Sequence, residues 1–151
     1  MRVGIISDTH GLLRPEAIVA MGGSDHILHV GDIGDPAILD QLRRLAPLTA
    51  IRGNIDRSGA CAQLPATECI ELAGHRLYML HDINDFDLNP VAAGIAAVIS
   101  GHSHRPSIRW RDGVLYFNPG SAGPRRFKLP TSVGILEIEA RGIEPRIAGI
   151  G

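Results

Sequence analysis

Seven side chains able to bind a divalent cation occur in a fixed order along the first two-thirds of the chain: Asp8, His10, Asp32, Asn54, His81, His102 and His104. The densest stretch is Ser100-Gly101-His102-Ser103-His104, which sets two imidazoles one residue apart directly after the apolar run Ala96 to Ile99. At a strand end alternate side chains point the same way, so once the turn tightens after Gly101 both histidines can reach one pocket. Metal ligation is the chemistry such a pair suggests, although histidine is also an ordinary catalytic base and an ordinary surface residue. Asp8-Thr9-His10 puts a carboxylate and an imidazole two residues apart and is weak evidence alone. Asp32 after Gly31 and Asn54 after Gly53, each taken singly, are turn residues beside glycine.

What the single pieces leave open, their repetition narrows. Strand after strand ends in an Asp, Asn or His, and ligands in open α/β sheets gather beyond the carboxyl ends of the strands. The set is too large for one four-coordinate ion and about right for two five- or six-coordinate ones. Oxygen and imidazole donors without thiolate suit Mn, Fe, Zn, Co or Ni better than a structural Cys-rich zinc site.

The elements that must carry these residues follow from hydrophobic patterning. Val3 to Ser7 has a buried-strand pattern, and Leu12 to Met21 is predicted helical with Pro15 in its first turn. His26 to Val30 is the next strand, Asp35-Pro36 offers a cap and first position for a helix, and Leu48 to Arg52 is a third strand. This βαβαβ order favours a parallel sheet with right-handed crossovers. The second half is richer in strands: Thr67 to Leu72 and Arg76 to Leu80 flank a hairpin, and Asn89-Pro90 starts a short helix that Gly94 would stop. Ala96 to Ile99 leads into the histidine pair. Ser107 to Trp110 and Val114 to Phe117 bracket an Asp112-Gly113 turn, and Val133 to Glu139 and Ile143 to Ile150 complete the sheet.

At 151 residues the chain is long enough for one domain with a substantial core and too short for two of typical size, so residues 1–151 are read as a single domain. Hydrophobic content of 44% with 21% charged residues is ordinary for a soluble globular protein, and no apolar stretch approaches membrane-spanning length. A net charge of −1 provides no general basic field, which weighs against long nucleic acid as a partner. Met1-Arg2 leads straight into a strand-like run without a signal-peptide pattern, so a cytoplasmic location is expected. Cys61 and Cys69 belong to no CxxC pair and read as free thiols. The composition leaves room for a homo-oligomer.

The ordered set DxH, GD, GNxD, H and GHxH across Asp8 to His104 resembles the calcineurin-like metallophosphoesterases, and within them the small bacterial and archaeal phosphodiesterases. Asn118-Pro119-Gly120-Ser121 followed by Pro124-Arg125 is similar to the NPGS segment of that small group. The resemblance implies a four-layer α/β/β/α sandwich, two mixed sheets flanked by helices, with two metals at the mouth. It implies that Asp8, His10 and His104 hold one ion, that Asn54, His81 and His102 hold the other, and that Asp32 bridges them. Manganese is the leading choice, with Fe, Zn, Ni, Co or Mg as alternatives. Two ions sharing one water lower its pKa enough to supply hydroxide near neutral pH for in-line attack on phosphorus. The expected activity is hydrolysis of a small phosphodiester, with Asp32, Asn54, Asp56 and His102 as candidate catalytic residues.

Two departures from the family pattern bear on that activity. Larger members carry a His directly after the GN to help protonate the leaving group, and Ile55 stands there instead. Asp82 follows the ligand His81 where the family commonly has Gly, and a solvent-facing carboxylate is the simpler expectation, with a narrowed substrate range as the other. His29 is expected to be packed or to support a ligand, and His26 and His75 to sit in turns or on the surface. Arg52, Arg57, Arg105, Arg125 and Arg126 could contact phosphate, Arg125 foremost. Asn118 and Ser121 should shape a turn under the metals, and Trp110 should pack in its hairpin. The rival readings are a catalytically silent scaffold of the same fold resembling the Vps29 subunit of retromer, a phosphomonoesterase, and a nuclease. The first loses a ligand His that this chain keeps, and the last lacks an obvious basic strip.

Overall fold

The computed structural model describes residues 1–151. Two five-stranded mixed sheets pack face to face, and each contains three adjacent parallel strands. In the first, β1 (Arg2–Ile6), β2 (His26–His29) and β3 (Leu48–Ala50) run parallel, while β9 (Ser132–Glu139) pairs antiparallel with β1 and β10 (Gly142–Gly149) with β9. The second has the order β4 (Thr67–Leu72), β5 (His75–Leu80), β6 (Ile95–Ile99), β8 (Val114–Asn118) and β7 (Ser107–Arg111), with β4 and β7 as antiparallel edges.

Strand alternation divides the core into layers. Val3 and Ile5 of β1 face the second sheet and meet Leu77, Met79, Ile99, Leu115 and Phe117. Ile6 faces the other way, toward α1 (Pro15–Met21) and α2 (Pro36–Arg43), through Ala17, Met21, Ile38, Leu39 and Leu42. Asp35 caps α2, its carboxylate accepting the Ala37 amide at 2.9 Å, as the Asp-Pro pair predicts. The outer face of the second sheet carries Leu80, Ile95, Val98 and Val114, with Tyr78, Phe86 and Tyr116 packed on them. Its cover is the loop between β5 and β6, where Ile83–Asp85 form one 3-10 turn.

Three local expectations are corrected. The first helix starts at Pro15 and not at Leu12, because the residue before a proline is pushed out of the α region. Arg14 is extended there, and its guanidinium donates to the Gly123 carbonyl at 3.3 and 3.2 Å. Asn89 to Gly94 is a turn, with Ala93 N bonded to Asn89 O at 3.0 Å and Ile95 N to Pro90 O at 2.8 Å; it is too short to nucleate a helix. The third strand stops at Ala50, and a short helix absent from the sequence reading, α3 (Gly59–Ala62), follows. Both expected hairpin turns form: Ala73-Gly74 and Asp112-Gly113 have positive φ at both positions, the signature of type I′.

Candidate metal centre

Parallel strands from both sheets end at one rim, and the loops that leave them deliver all seven predicted side chains there. Asp8 and His10 follow β1, Asp32 follows β2, Asn54 follows β3, His81 ends β5, and His102 and His104 follow β6. Five of them take left-handed backbone: Asp8 (φ 56), His10 (φ 45), Asp32 (φ 57), His102 (φ 68) and His104 (φ 63). Asp and His tolerate that region better than most residues, and a cluster of such positions stores strain of the kind found at functional sites. Each tight turn reverses the chain immediately after the strand and aims the side chain back across the rim.

Two groups result. Asp8, His10 and His104 place one donor atom each within 4.8 Å of one another, and so do Asp32, His81 and His102. Asp32 lies between the groups, its Oδ2 3.4 Å from His10 Nε2 and 3.2 Å from His81 Nε2. Its Oδ1 accepts the Ile55 amide at 3.1 Å. Asp8 is fully buried; its Oδ2 accepts from Ser7 Oγ at 2.7 Å and from the His102 amide at 3.1 Å. Asn54 Oδ1 is 3.2 Å from His102 Nδ1, which puts Asn54 with the second group.

Divalent cations fit this arrangement on chemical grounds. Asp8 Oδ1, His10 Nε2 and His81 Nε2 are buried without a hydrogen-bond partner, and polar atoms in such a state are costly. His81 Nδ1 lies 2.8 Å from the Val30 carbonyl; a carbonyl only accepts, so Nδ1 carries a proton, and Nε2 is the nitrogen turned to the centre, 3.2 Å from Asp32 Oδ2. Burial alone would raise the Asp8 carboxyl, but the neighbouring imidazoles of His10, His104 and His81 and the Ser7 hydroxyl outweigh it and hold Asp8 well below the usual carboxylate range. Asp32 is lowered in the same way, burial being overcome by His81 and the Ile55 amide. His81 is raised: desolvation opposes its protonation, and Asp32, the Val30 carbonyl and Asp8 prevail.

Supporting residues hold the loops. His29, fully buried, lies 3.0 Å from Thr9 Oγ1 through Nε2 and accepts the Gly31 amide at Nδ1, and burial pushes its pKa down to about 4. Asp56 is buried and accepts from the amides of Ile33, Gly34 and Gly53 at 2.9 to 3.1 Å. Those bonds make it a tether between the Asp32 and Asn54 loops. Asn118 donates to the Gly101 carbonyl, and the Ser121 hydroxyl to the Asp8 carbonyl. His26 bonds Thr49 and His75 the Glu139 carbonyl, both away from the rim. Sequence reasoning passed over Ser7, whose hydroxyl orients Asp8; the available signal was only its place beside that residue.

Asp82 departs from the solvent-facing expectation. Its Oδ1 caps the 3-10 turn by accepting the Asn84 amide, and its Oδ2 lies 3.7 Å from His102 Nε2. With Arg52, Asn54, His81, Asp85 and His102 it lines a cavity of about 330 Å³ against the second group. Ile55, 41% exposed, stands where a proton-donating His would be.

Two sheets in which the loops after β1, β2, β3, β5 and β6 bring oxygen and imidazole donors to one rim have the arrangement of a metal-dependent hydrolase. Comparison makes the family specific: a sequence model of the calcineurin-like phosphoesterase superfamily domain matches residues 1–141. The chain belongs to that superfamily. A protein of Methanothermobacter thermautotrophicus named probable metallophosphoesterase is 33% identical, over 100% of this chain and 94% of its own. Two solved structures share the fold: wild-type Vps29 of Entamoeba histolytica complexed with zinc (TM-score 0.75, 20% identity, 100% of both chains), and an archaeal phosphodiesterase (TM-score 0.75, 22% identity, 98% of this chain and 100% of that one). The protein is a phosphoesterase of this family, which uses divalent metal ions.

Proposed function

We propose that residues 1–151 act as one domain that hydrolyses a small phosphodiester at a centre of two divalent ions, manganese foremost. The observation that carries this reading is Asp32 Oδ2 lying within 3.4 Å of a histidine from each group, where one carboxylate can serve two cations. Asp8, His10 and His104 would hold the first ion and Asn54, His81 and His102 the second. Such ions, when bound, polarise phosphoryl oxygens and lower the pKa of water.

The chain's own residues position the ester and limit the reaction. Asp8 is fixed by Ser7 and by the His102 amide, so the first group keeps its geometry as substrate arrives. Asn54, His81 and His102 border the cavity and would face a phosphoryl group entering it. Ile55 transfers no proton, and the Asp56 carboxylate is committed to three amides. Esters whose leaving groups depart without protonation are therefore preferred.

The test loads the protein with Mn²⁺, counts bound metal, and measures hydrolysis of an activated diester and an activated monoester by wild type and Asp32→Asn. Diester turnover that falls at least about 100-fold in Asp32→Asn is expected, since removing a group that stabilises transition-state charge costs this much or more. Two bound ions with no turnover of either ester under any divalent metal would sink the reading. The Vps29-like scaffold would then gain, favoured by the end-to-end fold match to that protein.

A further inference from the structure

A second cavity, about 650 Å³, lies on the other side of the His102–His104 loop. Arg105, Arg109 and Arg111 line it, together with Ser103, Tyr116 and Ile83. Arg109 and Arg111 pair across from Tyr116 and Val114, and directly opposed residues share a face, so both guanidinium groups belong to the outer face of the second sheet. From Ser107 to Arg111 the groove follows the edge strand for about 13 Å at roughly 3.3 Å per residue. Its upper end is Ser103, the residue between His102 and His104.

The charge is unpaired. No carboxylate lines the groove, and the arginine ion pairs of the chain are Arg43–Asp40, Arg76–Glu71 and Arg141–Glu139, all elsewhere. Ser103 Oγ already accepts from the Arg105 amide and from Asn118 Nδ2, each at 3.2 Å, so its own proton is free to donate. Protection of an edge strand accounts for isolated charged side chains. It does not account for three like charges drawn around one cavity with a hydroxyl donor at its end. The smaller cavity is different, since Asp82 and Asp85 face Arg52 there and disfavour a second anion.

Guanidinium forks match phosphate oxygens, Tyr116 and Ile83 supply an apolar wall, and the volume falls in the range of roughly 300–1,000 Å³ typical of small-ligand sites. We propose that this groove binds the phosphate of a nucleotide, and that the substrate is a nucleotide ester carrying at least one phosphate besides the one cut. The second half rests on the phosphoesterase reading above; the first does not. The net charge of −1 hides this strip, because the sum over a chain says nothing about where the charges lie.

Trp110, the single tryptophan of the chain, lines the groove and is 53% exposed, so its fluorescence reports occupancy. The full-length protein is titrated with ADP, with and without excess EDTA, by tryptophan emission and by calorimetry. Saturable binding that survives EDTA, weakens with salt, exceeds that of adenosine, and drops at least about 10-fold in Arg109→Gln/Arg111→Gln supports the proposal. Arg44→Gln/Arg146→Gln, an equal charge change outside the groove, should leave binding intact. Absence of saturable binding by both methods, equal affinity in the double variant, or adenosine binding as tightly as ADP overturns it. Diester hydrolysis measured in parallel separates the readings: ADP binding without hydrolysis leaves the groove standing and removes the phosphodiesterase, and hydrolysis without ADP binding does the reverse.

Discussion

Asp8 Oδ1 has no hydrogen-bond partner while its sister oxygen has two, so the carboxylate is held rigidly with one face waiting. Asp8→Asn keeps the shape and removes the charge. Bound manganese measured by elemental analysis should fall by at least one ion per chain, and the rise in melting temperature that saturating Mn²⁺ gives wild type, worth about 4 kcal/mol at a thousandfold excess over Kd, should shrink. His29 makes a different prediction. Its folded pKa is depressed to about 4 from 6.5, so the unfolded chain binds the extra proton between those values. The stabilisation is full above pH 6.5 and is lost as pH falls toward 4, by about 3 kcal/mol. Urea unfolding of the metal-free protein across this window should show that slope, and His29→Gln should flatten it.

At the scale of elements, the rim depends on how closely the loops approach one another. A Cβ on Gly53 would collide with the Asp32 carboxylate and amide, and one on Gly31 would meet His81 Nδ1 at 2.7 Å. Gly53→Ala is therefore expected to keep its circular-dichroism spectrum and to lose metal from the second group. Asp56→Ala orphans the amides of Ile33, Gly34 and Gly53. At about 1 kcal/mol or more for each, urea titration should show a loss of at least about 3 kcal/mol. The strands and both hairpins were legible because period-two patterning and Gly-containing turns are local. The start of α1 and the turn at Asn89 depart from the sequence expectation for local reasons: Arg14, before Pro15, is held out of the α region, and the Asn89 to Gly94 stretch is too short to nucleate a helix.

For the whole molecule, the interface between the sheets is what keeps both sets of strand ends at one rim. Phe117 is 1% exposed within that interface, and its ring fills the space beside Gly134, where a Cβ would strike it. Phe117→Ala should cost about 3–5 kcal/mol, read from denaturant midpoints, and should weaken metal binding although residue 117 touches no donor. The sequence by itself determined the donor types, their order and their place after successive strands, because residue chemistry and strand periodicity are properties of short stretches. It also carried the family resemblance. Only the tertiary structure decided that Asp32 stands between the two histidine groups, that Asp56 is spent on three amides, that Asp82 leans toward His102, and that Arg105, Arg109 and Arg111 share a groove. Each of these depends on which loops of two separate sheets meet at the rim, or on which faces of neighbouring strands coincide. Such meetings are fixed by packing across long sequence distances, which no local pattern records.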